Sequence, residues 1–145
     1  MSFDKQKAEA SKKNLQNADL KNADLQEADL SEGILIEACL ENCNLSEADL
    51  CGTDISGANL KNARLHRTVL YRCRGKEVDF SNAVLTQANL VEANLSGANF
   101  THANLMESNI EGANLTNACF KDANLSEVNL TGVFLTNADL SGANF

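Results

Sequence analysis

Chemistry-bearing residues are scarce in this sequence, and their scarcity excludes several kinds of protein. Histidine occurs only as His66 and His102, and there is no GxSxG, P-loop or HExxH motif, so the usual hydrolytic, nucleotide-binding and metal-dependent constellations are missing. Five cysteines, an odd number without CxxC spacing, supply neither a disulfide framework nor an ordinary zinc site. They read as reduced, small apolar residues. No segment approaches the roughly 18 consecutive apolar residues of a membrane span, and the charged opening MSFDKQKAEASKKN has no apolar stretch of signal-peptide length. Positive charge is also short, with 12 Lys and Arg against 20 Asp and Glu, and the net charge of -8 disfavours a general nucleic-acid binder. The expectation is one soluble, cytoplasmic domain with no cofactor, no membrane contact and no enzymatic activity.

What is present is a repeat. Every fifth position from Leu15 to Phe145 holds Leu, Ile or Phe at 26 of 27 places, Gly75 being the exception, and the register never slips. Two residues before each stands a small residue, usually alanine (Ala18, Ala23, Ala28, Ala48, Ala58, Ala93), and the residue between is usually Asp or Asn. A period of five is neither helical nor extended, so something must turn the chain once per repeat. Alanine and leucine, two apart, share one side of a short extended segment while the polar residue between them faces out. The next two residues, rich in Ser, Gly, Asn, Glu and Thr, suit a corner. Such a chain winds into a coil whose turns stack at about 4.8 Å, and each repeat depends on its neighbours for burial. Asn22, Asn42, Asn62 and Asn82 recur at twenty residues, as do Glu27, Glu47, Glu107 and Glu127, which fits four sides per coil.

The motif A-(D/N)-L-x-x from Leu15 to Phe145 resembles the pentapeptide-repeat family over about nine-tenths of the chain. The resemblance implies an all-β fold, a right-handed quadrilateral β-helix of about 6–7 coils, on the order of 30 Å long at strand spacing. It leaves function open, since one fold hosts many roles. Residues 14–145 are read as the solenoid and residues 1–13 as an N-terminal cap, a short helix begun by Ser2 and docked through Phe3. At the other end Leu135, Leu140 and Phe145 form an uncovered coil with open strand edges, either the contact of a tail-to-tail homodimer, as the resemblance to dimeric members implies, or a solvated end.

The repeat departs from itself in the middle. Residues 14–60 hold ten acidic residues against Lys21 alone, whereas residues 61–76 hold Lys61, Arg64, Arg67, Arg72, Arg74 and Lys76 and no acid. These six should wrap the rod as a narrow basic belt. Here Thr68-Val69-Leu70 and Cys73-Arg74-Gly75 replace two repeats, and a bulge or gap is expected at Gly75. Cys51, Tyr71 and Val91 fall in one outward column with Val69 close by, and Ile34 and Ile36 form a second outward apolar pair. The belt reads either as compensation for the acidic coils or as a partner site made of Arg64, Arg67, Val69, Tyr71, Arg72, Arg74, Lys76 and Val91.

Function is therefore expected in protein binding or scaffolding, with a partner that the sequence does not name. Some members of the resembling family mimic B-DNA and bind DNA gyrase, and an acidic face of Asp24, Glu27, Asp29 and Glu47 would serve that alternative. The net charge of residues 14–60, about one per 1.25 Å of rod at strand spacing, matches a duplex, but the belt interrupts it. Gyrase-protecting members also carry loops that break the repeat, and no insertion breaks the register here. Direct nucleic-acid binding through the belt and Tyr71 is a further alternative, opposed by two acidic flanks.

Overall fold

The computed structural model describes residues 4–145. Helix α1, Lys5–Ala10, is begun by Asp4, whose carboxylate accepts the Lys7 amide at 2.8 Å. The helix thus starts two residues later than a Ser2 cap would place it; Ser2 and Phe3 lie outside the described residues. Ala8 is fully buried, and a 3₁₀ turn at Lys12–Asn14 leads into the first coil, where the Lys12 carbonyl accepts the Ile34 amide at 2.7 Å. A six-residue helix is unstable alone, so docking and capping hold it.

From Leu15 onward each extended point pairs in parallel with the residue twenty positions later, from Asp19 with Cys39 to Asn124 with Asn144. Twenty residues at five per turn make four sides. We number these by their inward leucines: side one begins at Leu15, side two at Leu20, side three at Leu25 and side four at Leu30. All four inward columns are buried until the last coil, and the alanines two residues before them fill the remaining interior. Side two carries Phe80, Phe100 and Phe120, stacked at 5.1 and 4.7 Å between centroids with planes within 14° of parallel.

Backbone satisfaction explains the rest of the motif. Within one repeat the Leu20 amide donates to Cys39 O, the Asn22 amide to Glu41 O, the Ala23 amide to Leu20 O across the turn, and Asn44 N returns to Ala23 O. One amide per repeat, that of the residue just after the leucine, finds no carbonyl. The preceding Asp or Asn supplies its acceptor: Asp19 Oδ1 takes the Lys21 amide at 3.1 Å, Asp49 that of Cys51 at 2.9 Å, and Asn104 that of Met106 at 3.1 Å. This side-chain latch is an Asx turn, and an open amide is costly only where water cannot reach it. The second corner residue takes a left-handed conformation, φ 58° at Asn17 and 57° at Arg67, as a type II turn requires of its third residue.

Gly75 produces neither bulge nor gap. Arg74 pairs with Asp54 and Asn94 in unbroken register, and the space is taken by neighbours. A Cβ placed on Gly75 would lie 2.8 Å from Leu95 Cδ2, 3.2 Å from Ile55 Cγ1 and 3.3 Å from Val78 Cγ1. Val78 stands where the motif has alanine, so volume missing at one position is returned at another.

Candidate basic belt

The structure spreads the six cations around one coil. Lys61 sits at the corner after side two, Arg64 on side three with Arg67 at its corner, Arg72 at the corner after side four, and Arg74 and Lys76 on side one. All six are exposed. Two are engaged within the rod: Arg72 Nε meets Glu92 Oε2 at 2.6 Å, with its guanidinium 5.0 Å from the Tyr71 ring centre, and Arg74 Nε meets Asp54 Oδ2 at 3.3 Å. The hydrogen bond from Arg72 to Glu92 raises the Arg72 pKa. For Asp54, partial burial opposes ionisation, but hydrogen bonds from Ser56 and Arg74 prevail and lower its pKa. Among the described residues Lys61, Arg64, Arg67 and Lys76 form no ion pair, so compensation within the rod accounts for two of the six.

Side four places Val69, Tyr71 and Val91 together, each half-buried, with Cys51 below Tyr71. Side three adds two apolar residues beyond those picked out from sequence, Val84 at 38% and Met106 at 37% exposure. Both occupy outward register positions, and an apolar residue in such a column was the signal available. Ile34 and Ile36, by contrast, are half-buried, and the 3₁₀ turn covers the first of them.

The latch is lost most densely at the belt, although Ile34, Cys39, Cys119 and Phe134 also lack it elsewhere, and only Arg64 and Val84 lose it on successive coils of one side. Arg64, Val69, Arg74 and Val84 replace Asp or Asn at four of five successive positions, only Asp79 keeping the motif. The amides of His66, Tyr71, Lys76 and Thr86 consequently have no protein acceptor, whereas Asp79 Oδ1 still holds the Ser81 amide at 2.9 Å. The His66 and Thr86 side chains bond each other instead, Nδ1 to Oγ1 at 2.8 Å.

Other sequence-derived residues fall as follows. Asp24, Glu27 and Glu47 are exposed along side three and its corner with side four, and Asp29 is exposed on side four, but they are not a free acidic face. Lys12 Nζ lies 3.0 Å from Asp29 Oδ1, and hydrogen bonds from Ser31 and Lys12 lower the Asp29 pKa to about 2. The Glu27–Glu47 column continues into Arg67. His66 and His102 occupy different sides, and His102 Nδ1 is 4.0 Å from Asp122 Oδ2. Cys43 is buried and donates to Leu20 O at 2.8 Å, while Cys39 faces outward. Burial pushes the Cys43 and Cys73 thiols up to about 12. At the C-terminal coil Leu135 and Leu140 are half-buried, and Leu130, Phe134 and Phe145 are 41%, 61% and 63% exposed. Among the described residues no helix is long and apolar enough to cross a membrane.

A search of curated protein sequences returns no match. A profile described as pentapeptide repeats matches in 8 copies, over residues 6–35, 14–46, 43–74, 79–117 and 118–145. Among solved structures the chain is similar to the pentapeptide repeat protein Rfr23 from the cyanobacterium Cyanothece 51142, with 33% identity over 70% of this chain and 66% of that one and a TM-score of 0.41. A pentapeptide repeat protein of the Arabidopsis thaliana thylakoid lumen shares 30% identity over 71% of this chain and 68% of its own, with a TM-score of 0.43. HetL, a pentapeptide repeat protein involved in heterocyst differentiation regulation in Nostoc sp. strain PCC 7120, shares 25% over 88% and 81%, with a TM-score of 0.35. With its unbroken twenty-residue ladder and a pentapeptide-repeat profile matching most of its length, the chain belongs to the pentapeptide repeat family, whose members fold as right-handed quadrilateral β-helices.

Proposed function

We propose that the protein is a non-enzymatic binding module, a stiff scaffold that presents its basic belt and the adjoining apolar side chains to a protein partner. The observation that carries this reading is the set of four belt cations that form no ion pair among the described residues, set beside exposed Val84 and half-buried Val69, Tyr71 and Val91. Mixed cationic and aromatic or aliphatic surface is the usual composition of an interaction site. The reading is tested by affinity capture from native extract, wild type against a variant with Arg64, Arg67, Arg72 and Arg74 all changed to Glu. Circular dichroism verifies that the variant still folds. A partner bound by wild type and lost from the variant supports the belt, and equal capture by both rejects it.

Mimicry of a duplex for gyrase is less well supported. Asp29 is tied to Lys12, and Arg67 interrupts the Glu27–Glu47 column. The C-terminal coil favours one additional contact, a tail-to-tail homodimer through Leu135, Leu140 and Phe145, to which exposed Leu130 and Phe134 add apolar area. The cytoplasmic assignment is part of the same proposal and rests on five free thiols.

A further inference from the structure

We propose that side three of the belt is a carboxylate-binding site, where an acidic side chain of a partner protein supplies the acceptor that the repeat has lost. The inference rests on the binding-module reading above and specifies its chemistry. At seventeen corners an outward Asp or Asn closes the amide two residues on, so this amide points toward the surface where an acceptor can reach it. On side three Arg64 and Val84 leave two such amides open, those of His66 and Thr86, on successive coils about 4.8 Å apart. Arg64 and Arg67 flank them without ion pairs of their own. Two outward N–H groups beside two unpaired guanidinium groups form a donor array for a carboxylate, which accepts through both oxygens and pairs with arginine in a fork. Val84 and Met106, exposed on the same side, give an adjacent apolar residue of the partner a place to rest.

The flanking charge selects the partner. Beyond the belt the same corner column presents Glu27 and Glu47 on one side and Glu107 and Glu127 on the other, leaving a cationic strip about one coil wide. An extended acidic peptide segment crossing the rod fits that strip. A nucleic-acid duplex, with its much wider phosphate envelope, would lie against the glutamates.

The test uses the whole chain, labelled with nitrogen-15, titrated with a peptide of repeated Glu-Glu-Leu triplets and with its Gln-Gln-Leu counterpart. The His66 and Thr86 amide resonances should move first with the acidic peptide and stay in place with the neutral one. Val84→Asn restores the internal latch without altering charge and should weaken binding about tenfold, the scale of one hydrogen bond to a charged group. Arg64→Asn should do at least as much, while Arg72→Glu combined with Arg74→Glu should change affinity about twofold or less. The proposal is overturned by no binding of the acidic peptide, by wild-type affinity in Val84→Asn, or by displacement of the peptide by oligothymidylate at equal charge. Resonance shifts confined to Tyr71, Arg72 and Val91 also overturn it, yet leave the binding-module reading intact, and that reading fails separately if the four-arginine variant captures the same partner.

Discussion

Restoring the repeat consensus at Gly75 with leucine is predicted to weaken the rod. A Cβ alone would come within 2.8 Å of Leu95 Cδ2 and within 3.3 Å of Ile55 and Val78, and leucine adds three carbons more. Overpacking of this kind costs about 1–3 kcal/mol. Were the site an empty cavity, filling it would instead gain about 0.5–2 kcal/mol, so the two pictures differ in sign. Val78→Ala removes two methyl groups and alone should cost about 1.6 kcal/mol at about 0.8 per carbon. Combined with Gly75→Leu it makes room, and the pair should be more stable than the sum of the single effects by about 0.5–3 kcal/mol. Urea unfolding followed by circular dichroism measures all four proteins, with m-values compared because solenoid coils can unfold unevenly. A raised midpoint for Gly75→Leu, or additivity within about 0.5 kcal/mol, would refute the volume exchange.

Thiol labelling under native conditions should modify Cys39, Cys51 and Cys119 while sparing Cys43 and Cys73, whose pKa values of about 12 reflect burial, and denaturant should expose all five. Rapid native labelling of Cys73 would contradict the closed interior. Asp29 should titrate near 2 in the folded chain, below its ordinary 3.8. Because its folded pKa is depressed, its stabilising contribution is present above about pH 4 and is lost as pH falls through 2. Carboxyl NMR should find Lys12→Met moving that midpoint upward, and an unchanged midpoint would remove Lys12 as a cause. Light scattering should give twice the chain mass for wild type and a monomer for Phe145→Asp or Phe134→Asp, whereas a concentrated wild-type monomer would end the tail-to-tail proposal.

The coil was legible because every repeat performs the same task, so the positions of Leu15, Leu20 and Leu25 already state the turn and the inward face. The number of sides was written in the twenty-residue recurrence of asparagine and glutamate. What Asp and Asn do at the corner was less legible: outward polarity is readable from alternation, but the amide they close depends on where the neighbouring carbonyls point. That is why Arg64 read only as charge and Val84 was not singled out, and neither was recognised as a lost acceptor. The interior at Gly75 was misread because a glycine in sequence says nothing of the side chains around it, and here Leu95, Ile55 and Val78 occupy the space. The helix start was misplaced because several residues near the beginning can cap so short a segment, and Asp4 wins by reaching the Lys7 amide.

The ladder of five-residue steps makes the rod behave like an indexed shaft. Inserting a single pentapeptide between residues 76 and 126 would leave every core contact type in place yet turn Phe134 a quarter revolution relative to Arg64. Inserting four would restore their original angular relation, on opposite sides of the rod, and change only the distance between them. Length and angular phase of two surface features are thus set by separate edits, and any partner that grips both the belt and the far coil measures the number of repeats between them.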